Sequence, residues 1–391
     1  MIDVGRLRAD TPGVRNVAHL DNAGAALMPV PVVEAITGYL AEEATLGGYE
    51  TRLKRSNEIE TVYNSLANLI GAYRSEVALA DNATRAWDLL FYSLKLRAND
   101  RIVTTTSEYV SNWAAYLHLR DTRGVTIAVA PDTPTGEIDV EALENMVATG
   151  ATSLVAINHM PTNGGLVNPA IDVGDVTSRY GVPFLLDATQ TVGQLPIDVT
   201  KIKCDMLVGT SRKYVRGPRG VGFLYVRDGF SDALEPVFVE TENAPVVLPD
   251  RFVLASGAHR FETWEKAYAL VIGFGTAIDY ALETGIESIW QRVESLAATL
   301  RLMLDEIDGV AVYDLGSVKG GIVTFDVEGR QTLEVRELLS ERNINVSTSS
   351  VFSSPLDMHE RQIDGLVRAS VHAYNDDEEL ERLAEAIRVI A

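Results

Sequence analysis

The stretch MLVGTSRKYVRGPRGVGFLYV (206–226) decides how this chain is read. It opens on a brief apolar run, Met206–Val208, and closes on a second, GVGFLYV (220–226). Between them lies a turn dense in Gly, Pro and Arg that carries one lysine, Lys213. Short runs of Val, Ile and Leu bounded by Gly or polar residues suit buried strands. The second run reads as a further strand, with antiparallel pairing one option. A lone lysine in such a turn is ordinarily a solvated charge, so what gives Lys213 weight is its place just beyond a strand.

Working outward, runs of the same kind recur at Glu76–Ala80, Arg101–Thr105, Val125–Val129, Ser153–Ile157 and Val182–Leu186. Helical stretches separate them, an alternation that builds a parallel sheet with crossover helices. A helix over 29–45 starts at Pro29 and Pro31, which suit a first turn. Others are expected over 53–70, 262–284 and 286–307. The tail mixes strand-like pieces (320–327, 366–371) with helical ones (332–342, 376–390). The expected architecture is α/β, a mostly parallel central sheet with a smaller α+β C-terminal domain. The expected division is an N-terminal segment 1–28 at the active site, a large domain 29–285 and a small domain 286–391.

In open α/β sheets, ligands bind beyond the carboxyl ends of the strands. The residues found there form a set: Ala83 and Thr84, Tyr109, His159 with Thr162 and Asn163, Asp187, and Thr210 to Lys213. A phosphate at the start of the helix near Thr84 would meet free N–H groups and a positive dipole end. A carboxylate such as Asp187 can hold a pyridine nitrogen protonated, a lysine can form an imine, and a ring such as Tyr109 can stack on a planar cofactor. Together these are what pyridoxal 5'-phosphate (PLP) requires. Taken singly, each has a blander reading. Asp187 also suits a helix N-cap before Ala188, Thr84 and Thr210 suit caps, and Asn163 before Gly164-Gly165 suits a turn. Tyr109 suits a core aromatic, and His159 a satisfied structural histidine.

Composition narrows the classes. The 391 residues are 46% hydrophobic and carry a net charge of −21, a surface that repels nucleic acid. The single cysteine, Cys204, leaves no internal disulfide and no Cys-cluster metal site, and reads as a small buried hydrophobe. No metal site is expected. The start MIDVGRLRADTPG has no apolar signal core, and no uncharged apolar run reaches the roughly 18 residues of a membrane helix. A cytoplasmic protein without nucleic-acid or membrane partners is the expectation.

From HLDNAGAA (19–26) to LVRASVHAYN (366–375), the order of these segments resembles the class V aminotransferase and cysteine desulfurase family, of PLP fold type I. GTSRKYVRGPRGVGFLYV and HRFETWEKAYAL (259–270) are most similar to hercynylcysteine sulfoxide lyases and isopenicillin N epimerase-like members. The resemblance implies a homodimer acting on a small amino acid. It makes Lys213 the Schiff-base lysine and Asp187 the pyridinium partner. Gln190 and Asn163 fall where the family hydrogen-bonds the cofactor's O3' oxygen. Ala83, Thr84 and Thr210 fall at the phosphate site, and Tyr109 at the stacking ring. Arg368 would hold the substrate α-carboxylate, a bidentate task suited to guanidinium. Asn22 falls among the substrate-contacting positions, and Thr263 where relatives reach the partner subunit's phosphate.

The chain also departs from its relatives. Desulfurases carry a catalytic cysteine on a C-terminal loop, and VSTSSVFSSPLDM (346–358) contains none. They place His before the lysine, where this chain has Arg212. Arg216 and Arg219 suit a substrate anion or a solvated loop equally. The reading favoured is a C–S β-lyase on a cysteine conjugate or sulfoxide. Amino transfer comes second and epimerisation third, since all three use the same residues.

Overall fold

The computed structural model describes residues 2–391. Seven strands form the central sheet: β1 (Val77–Ala80), β2 (Arg101–Thr104), β3 (Thr126–Val129), β4 (Thr152–Asn158), β5 (Phe184–Asp187), β6 (Met206–Thr210) and β7 (Gly222–Val226), in the order β1-β7-β6-β5-β4-β2-β3. The pairs from β3 through β6 are parallel, and β7 runs antiparallel to both β6 and β1. Every residue of β5, β6 and β7 is buried, because helices cover both faces of the sheet. That is why these strands read as continuous apolar runs. Alternate residues enter different cores. Val155, Ile157, Leu186 and Leu207 pack on one face, and Leu154, Ala156, Leu185 and Met206 on the other.

From β2 the chain moves outward to β3, then returns across β2 to β4 and continues through β5 and β6. The direction of winding therefore reverses between β2 and β4. This switch point is where such sheets open a crevice at their carboxyl ends. β7 starts at Gly222 for a steric reason. A Cβ there would lie 2.4 Å from the Asn82 carbonyl carbon and 2.8 Å from the Ala83 nitrogen. Only glycine lets the strand approach the first turn of the helix Ala83–Phe91 so closely.

A second, antiparallel sheet holds β8 (Val310–Val312), β9 (Ile322–Val327), β10 (Ser347–Ser350) and β11 (Gly365–Ser370), in the order β8-β9-β11-β10. Val323, Phe325, Val367 and Ala369 pack there against Leu296 and Leu300 of the helix Ile286–Asp305 and Leu383 and Ile387 of the helix Asp377–Ile390. Leu7, Ala18 and Leu20 of the N-terminal segment join this core, and Ala18–His19 pairs in parallel with Ile344–Asn345.

Two helix expectations need correction. The stretch 53–70 is two helices, Gly48–Lys54 and Ser56–Ile70, broken at Arg55, whose guanidinium turns to Glu58 at 3.0 Å. The stretch 262–284 becomes helical only at Tyr268. Buried Glu262 accepts hydrogen bonds from the Leu79 N–H at 2.6 Å and the Tyr63 hydroxyl at 3.0 Å, and pairs with Lys266 at 3.3 Å. That network holds 262–267 out of the helix. By length and hydropathy alone, 22–46 matches a bilayer span. It is broken between the helices Asn22–Ala25 and Val30–Leu46, and the latter packs on the helix Tyr268–Thr284.

Candidate active site

At the switch point the strand ends enclose a cavity of about 160 Å³, roughly tenfold the space one water needs. Ala83, Thr84, Tyr109, Asp187, Gln190, Thr210 and Lys213 line it together. Six of these were expected from their places after strands, as were Thr162 and Arg212, and Gln190 was expected from the resemblance. Asn112, Asn158, Met160, Thr162, Thr189 and Arg212 also face it.

Asp187 ends β5 and is held on both oxygens. The Thr189 N–H donates to Oδ1 at 2.9 Å, and Asn112 Nδ2 donates to Oδ2 at 3.0 Å. Asn112 Nδ2 also reaches Glu108 Oε1 at 3.0 Å. Glu108 is fully buried and accepts further from Thr104 at 2.6 Å, the Tyr109 N–H at 2.7 Å and the Tyr116 hydroxyl at 2.9 Å. Asn112 and Tyr116 are four apart on one face of the helix Val110–Arg123, and Glu108 stands just before its N-cap, Tyr109.

Lys213 sits in a self-bonded turn. The Ser211 hydroxyl donates to the Pro218 carbonyl, and the Gly217 N–H donates to the Ser211 carbonyl at 2.8 Å. Burial pushes the lysine amine well below its ordinary value. Arg212 and Arg368 push the same way, against Asp187 and Asp21. This environment favours the neutral amine, the form that attacks a carbonyl or takes a proton. Arg368, at the centre of β11, donates to the Thr162 hydroxyl at 2.8 Å and its carbonyl at 3.0 Å, and pairs with Asp21 at 3.2 Å. Arg212 donates to the Gly24 carbonyl, and Gln190 Nε2 reaches the Ala23 carbonyl at 3.4 Å. The N-terminal segment thus touches three of the groups at the site.

Other expected residues fall elsewhere. Asn163 turns away, donating to Asp357 at 2.6 Å, and its neighbour Thr162 faces the cavity instead. Of the two residues named after this strand, Thr162 is the one that lines the cavity. Asn22 is fully buried as a strut. Its Nδ2 donates to the Ser370 carbonyl at 2.7 Å, and its Oδ1 accepts from the Tyr374 hydroxyl. No side-chain polar atom is left for substrate. Thr263 is exposed and lines a small separate cleft with Leu79, Ala80 and Asp81, on the outer side of the turn that leads to Ala83. His159 is buried and bonded to Thr191 at 3.1 Å, and burial pulls it down to about 4. Arg216 is buried too, bonded to the Leu27 carbonyl at 2.9 Å and lying 4.4 Å over the Tyr374 ring. Cys204 precedes β6 while Lys213 follows it, so the thiol lies at the opposite end of the strand. It is fully buried, and burial raises its pKa far above the ordinary range.

The fold and this set of groups define a PLP-dependent enzyme of fold type I. The model of the family Aminotransferase class-V matches residues 18–383, and the chain belongs to that family. A protein from Methanothermobacter thermautotrophicus named "Probable cysteine desulfurase" is 30% identical over 98% of this chain and 97% of its own. The structure of a cysteine desulfurase from Thermococcus onnurineus NA1 superposes with a TM-score of 0.93 at 26% identity, covering 100% of this chain and 98% of that one. The fold is also that of the cystine C–S lyase C-DES, solved with its product cysteine persulfide (TM-score 0.87, 23% identity, 97% and 99% covered). The cavity fits the cofactor on its own chemistry. The first-turn N–H groups of Ala83 and Thr84 have no intrahelical acceptors. The Thr189 hydroxyl and Gln190 Oε1, both on the cavity wall, are buried without protein partners.

Burial raises the Glu108 carboxyl to about 7, against hydrogen bonds that pull it down. In the unfolded chain a glutamate titrates near 4.3. Between those values the folded protein keeps a proton that the unfolded chain has lost. Glu108 therefore favours the fold at low pH, and this advantage is gone once pH passes the folded value. Glu108→Gln removes the titration. Its unfolding free energy in urea, measured against wild type, should shift by roughly 3 kcal/mol between about pH 4 and about pH 8. Parallel curves would mean that Glu108 is ionised throughout.

Proposed function

We propose that this enzyme is a C–S β-lyase acting on a cysteine conjugate or sulfoxide, without a protein persulfide. The observation that carries the reading is the packing of 346–358 beside the cavity. Ser349 reaches the Thr162 carbonyl at 3.5 Å, Ser353 accepts from the Val110 N–H at 3.1 Å, and Ser354 reaches the Glu108 carbonyl at 3.4 Å. This segment packs on Thr162 of the cavity lining and on the residues either side of Tyr109, and it contains no thiol. The chain's one thiol is sealed at the far end of β6.

In this reading Ala83, Thr84 and Thr210 would hold the cofactor's phosphate, Tyr109 would stack on its ring, Asp187 would accept from its pyridine nitrogen, and Gln190 and Thr162 would hydrogen-bond its phenolic oxygen. When bound, PLP supplies a carbonyl for amine exchange and an electron sink. Arg368 receives the substrate carboxylate and fixes Cα over the cavity. Lys213, freed as a neutral amine, removes the Cα proton. The Cβ–S bond then breaks with its electron pair leaving on sulfur, and the ammonium of Lys213 returns a proton to the departing thiolate. The released 2-aminoacrylate takes up water to give pyruvate and ammonium.

The working unit in this reading is a homodimer. Leu40, Tyr49, Leu53, Val246, Leu248, Phe252 and Trp264 are exposed. Leu40, Tyr49 and Trp264 line one cleft. Such a surface marks an interface, and an isologous contact would cover it. Sedimentation should show a dimer at working concentration, and a fully active monomer would refute this.

Lys213→Ala should fold, yet lack the internal imine band and all turnover. Full activity in that variant would sink the assignment of the site. Cys204→Ala should lose about 1 kcal/mol of stability and keep kcat within about threefold. A loss beyond about a thousandfold, roughly 4 kcal/mol of barrier, would make the thiol catalytic and restore the desulfurase reading.

A further inference from the structure

Arg368 stands at the centre of β11, with β9 on one side and β10 on the other, so its backbone is fixed by both neighbours. Its guanidinium has five N–H donors. Nη1 makes both of its bonds to Thr162, at 2.8 Å to the hydroxyl and 3.0 Å to the carbonyl. Nη2 meets Asp21 Oδ1 at 3.2 Å, long for a charge-assisted bond. Nε is buried and bonds to no protein atom. Nε–H and the adjacent Nη2–H are parallel, and they form an edge that a carboxylate bridges with two oxygens. Asp21 touches Nη2 alone, and the Nε half of that edge goes unserved.

Two carboxylates therefore have a claim on Nη2, that of Asp21 and that of the substrate. The substrate brings one oxygen to Nε and another to Nη2, where Asp21 brings one oxygen in all. Asp21 is also the more exposed partner, its side chain 29% accessible against 9% for the arginine, so it regains water when it lets go. Gly24 makes the room it occupies, since a Cβ there would stand 2.6 Å from both carboxylate oxygens. Nor is Asp21 needed to aim Arg368, which the two bonds to Thr162 and the flanking strands already do. We infer that Asp21 competes with the substrate α-carboxylate for Arg368 Nη2, and so selects ligands able to bridge Nε and Nη2 together. The buried cation keeps a counter-ion, and an anion that offers one bond gains little by displacing it. Asp21 is a specificity-determining residue in this account and takes no part in the chemical step. The inference rests on Arg368 as the receptor of the substrate carboxylate.

L-Alanine and L-alaninamide separate the carboxylate from the rest of the ligand. Neither has a β leaving group, so binding is read without elimination. With the holoenzyme, Kd for each comes from the shift of the cofactor's visible band, and the preference is the amide's Kd divided by the acid's. Asp21→Asn and Asp21→Ser keep a polar side chain that suits the start of a helix and remove the charge. The preference should rise in both on the order of threefold to tenfold, the worth of a part-exposed ion pair, with most of the change in the Kd of L-alanine. Arg368→Gln should lower it by about tenfold to a hundredfold. A preference that stays level or falls in the Asp21 variants overturns the inference, because Asp21 would then aim Arg368 and not compete for it. If Arg368→Gln lowers the preference and the Asp21 variants do not raise it, the receptor stands and the competitor falls. An unchanged preference in Arg368→Gln removes the receptor and the inference with it. Loss of the internal imine band in both Asp21 variants would make Asp21 a structural requirement, and that too overturns the competition.

Discussion

Asn112 ties three strand ends together. It stands on the helix that follows β2, donates to Asp187 at the end of β5 and to Glu108 beside it, and touches Asn158 at the end of β4 at 3.4 Å. Asn158 in turn donates to the Ser107 carbonyl at 2.9 Å. This knot lies at the switch point, where the sheet would otherwise splay open. A buried polar network of this kind rigidifies a site when its members are satisfied and destabilises it when one is lost. Its consequence for chemistry is orientation. With one oxygen on a backbone N–H and the other on Asn112, the Asp187 carboxylate plane cannot rotate, so an acceptor for a pyridine nitrogen is aimed before any ligand arrives. Tyr109 and the helix it begins are placed by the same contacts.

The fold was largely legible because burial leaves a simple mark. Strands covered on both faces must be apolar throughout, and each of the seven runs appears within a residue or two of its strand. The site was legible where chemistry follows a strand directly, as at Ala83, Tyr109, Asp187 and Lys213. It was illegible where side-chain direction decides. Thr162 and Asn163 are neighbours, yet only the first faces the cavity. Asn22 sits in a segment that does reach the site, but it serves Ser370 and Tyr374. Asn112 and Tyr116, polar groups four apart on one helix face, with Glu108 just before the helix, carried a usable signal that strand-end searching passes over. The false helix at 262–267 has the opposite cause. Its local pattern is adequate, and a buried carboxylate, Glu262, overrides it through partners more than 180 residues distant in sequence.

Recognition and base strength are coupled at this cavity. Arg368, which would bind the substrate carboxylate, is one of the groups that hold the Lys213 amine low, after burial itself and Arg212. An anion seated on Arg368 would cancel part of that arginine's field at Lys213. The amine would then be a weaker base before substrate enters and a stronger one once a carboxylate is in place, when it would take a proton from Cα. Burial supplies the constant part of the effect and Arg368 the part that substrate would switch. A substrate whose carboxylate seats on Arg368 would gain binding and also the proton acceptor it needs, so discrimination would appear in the chemical step as well as in affinity.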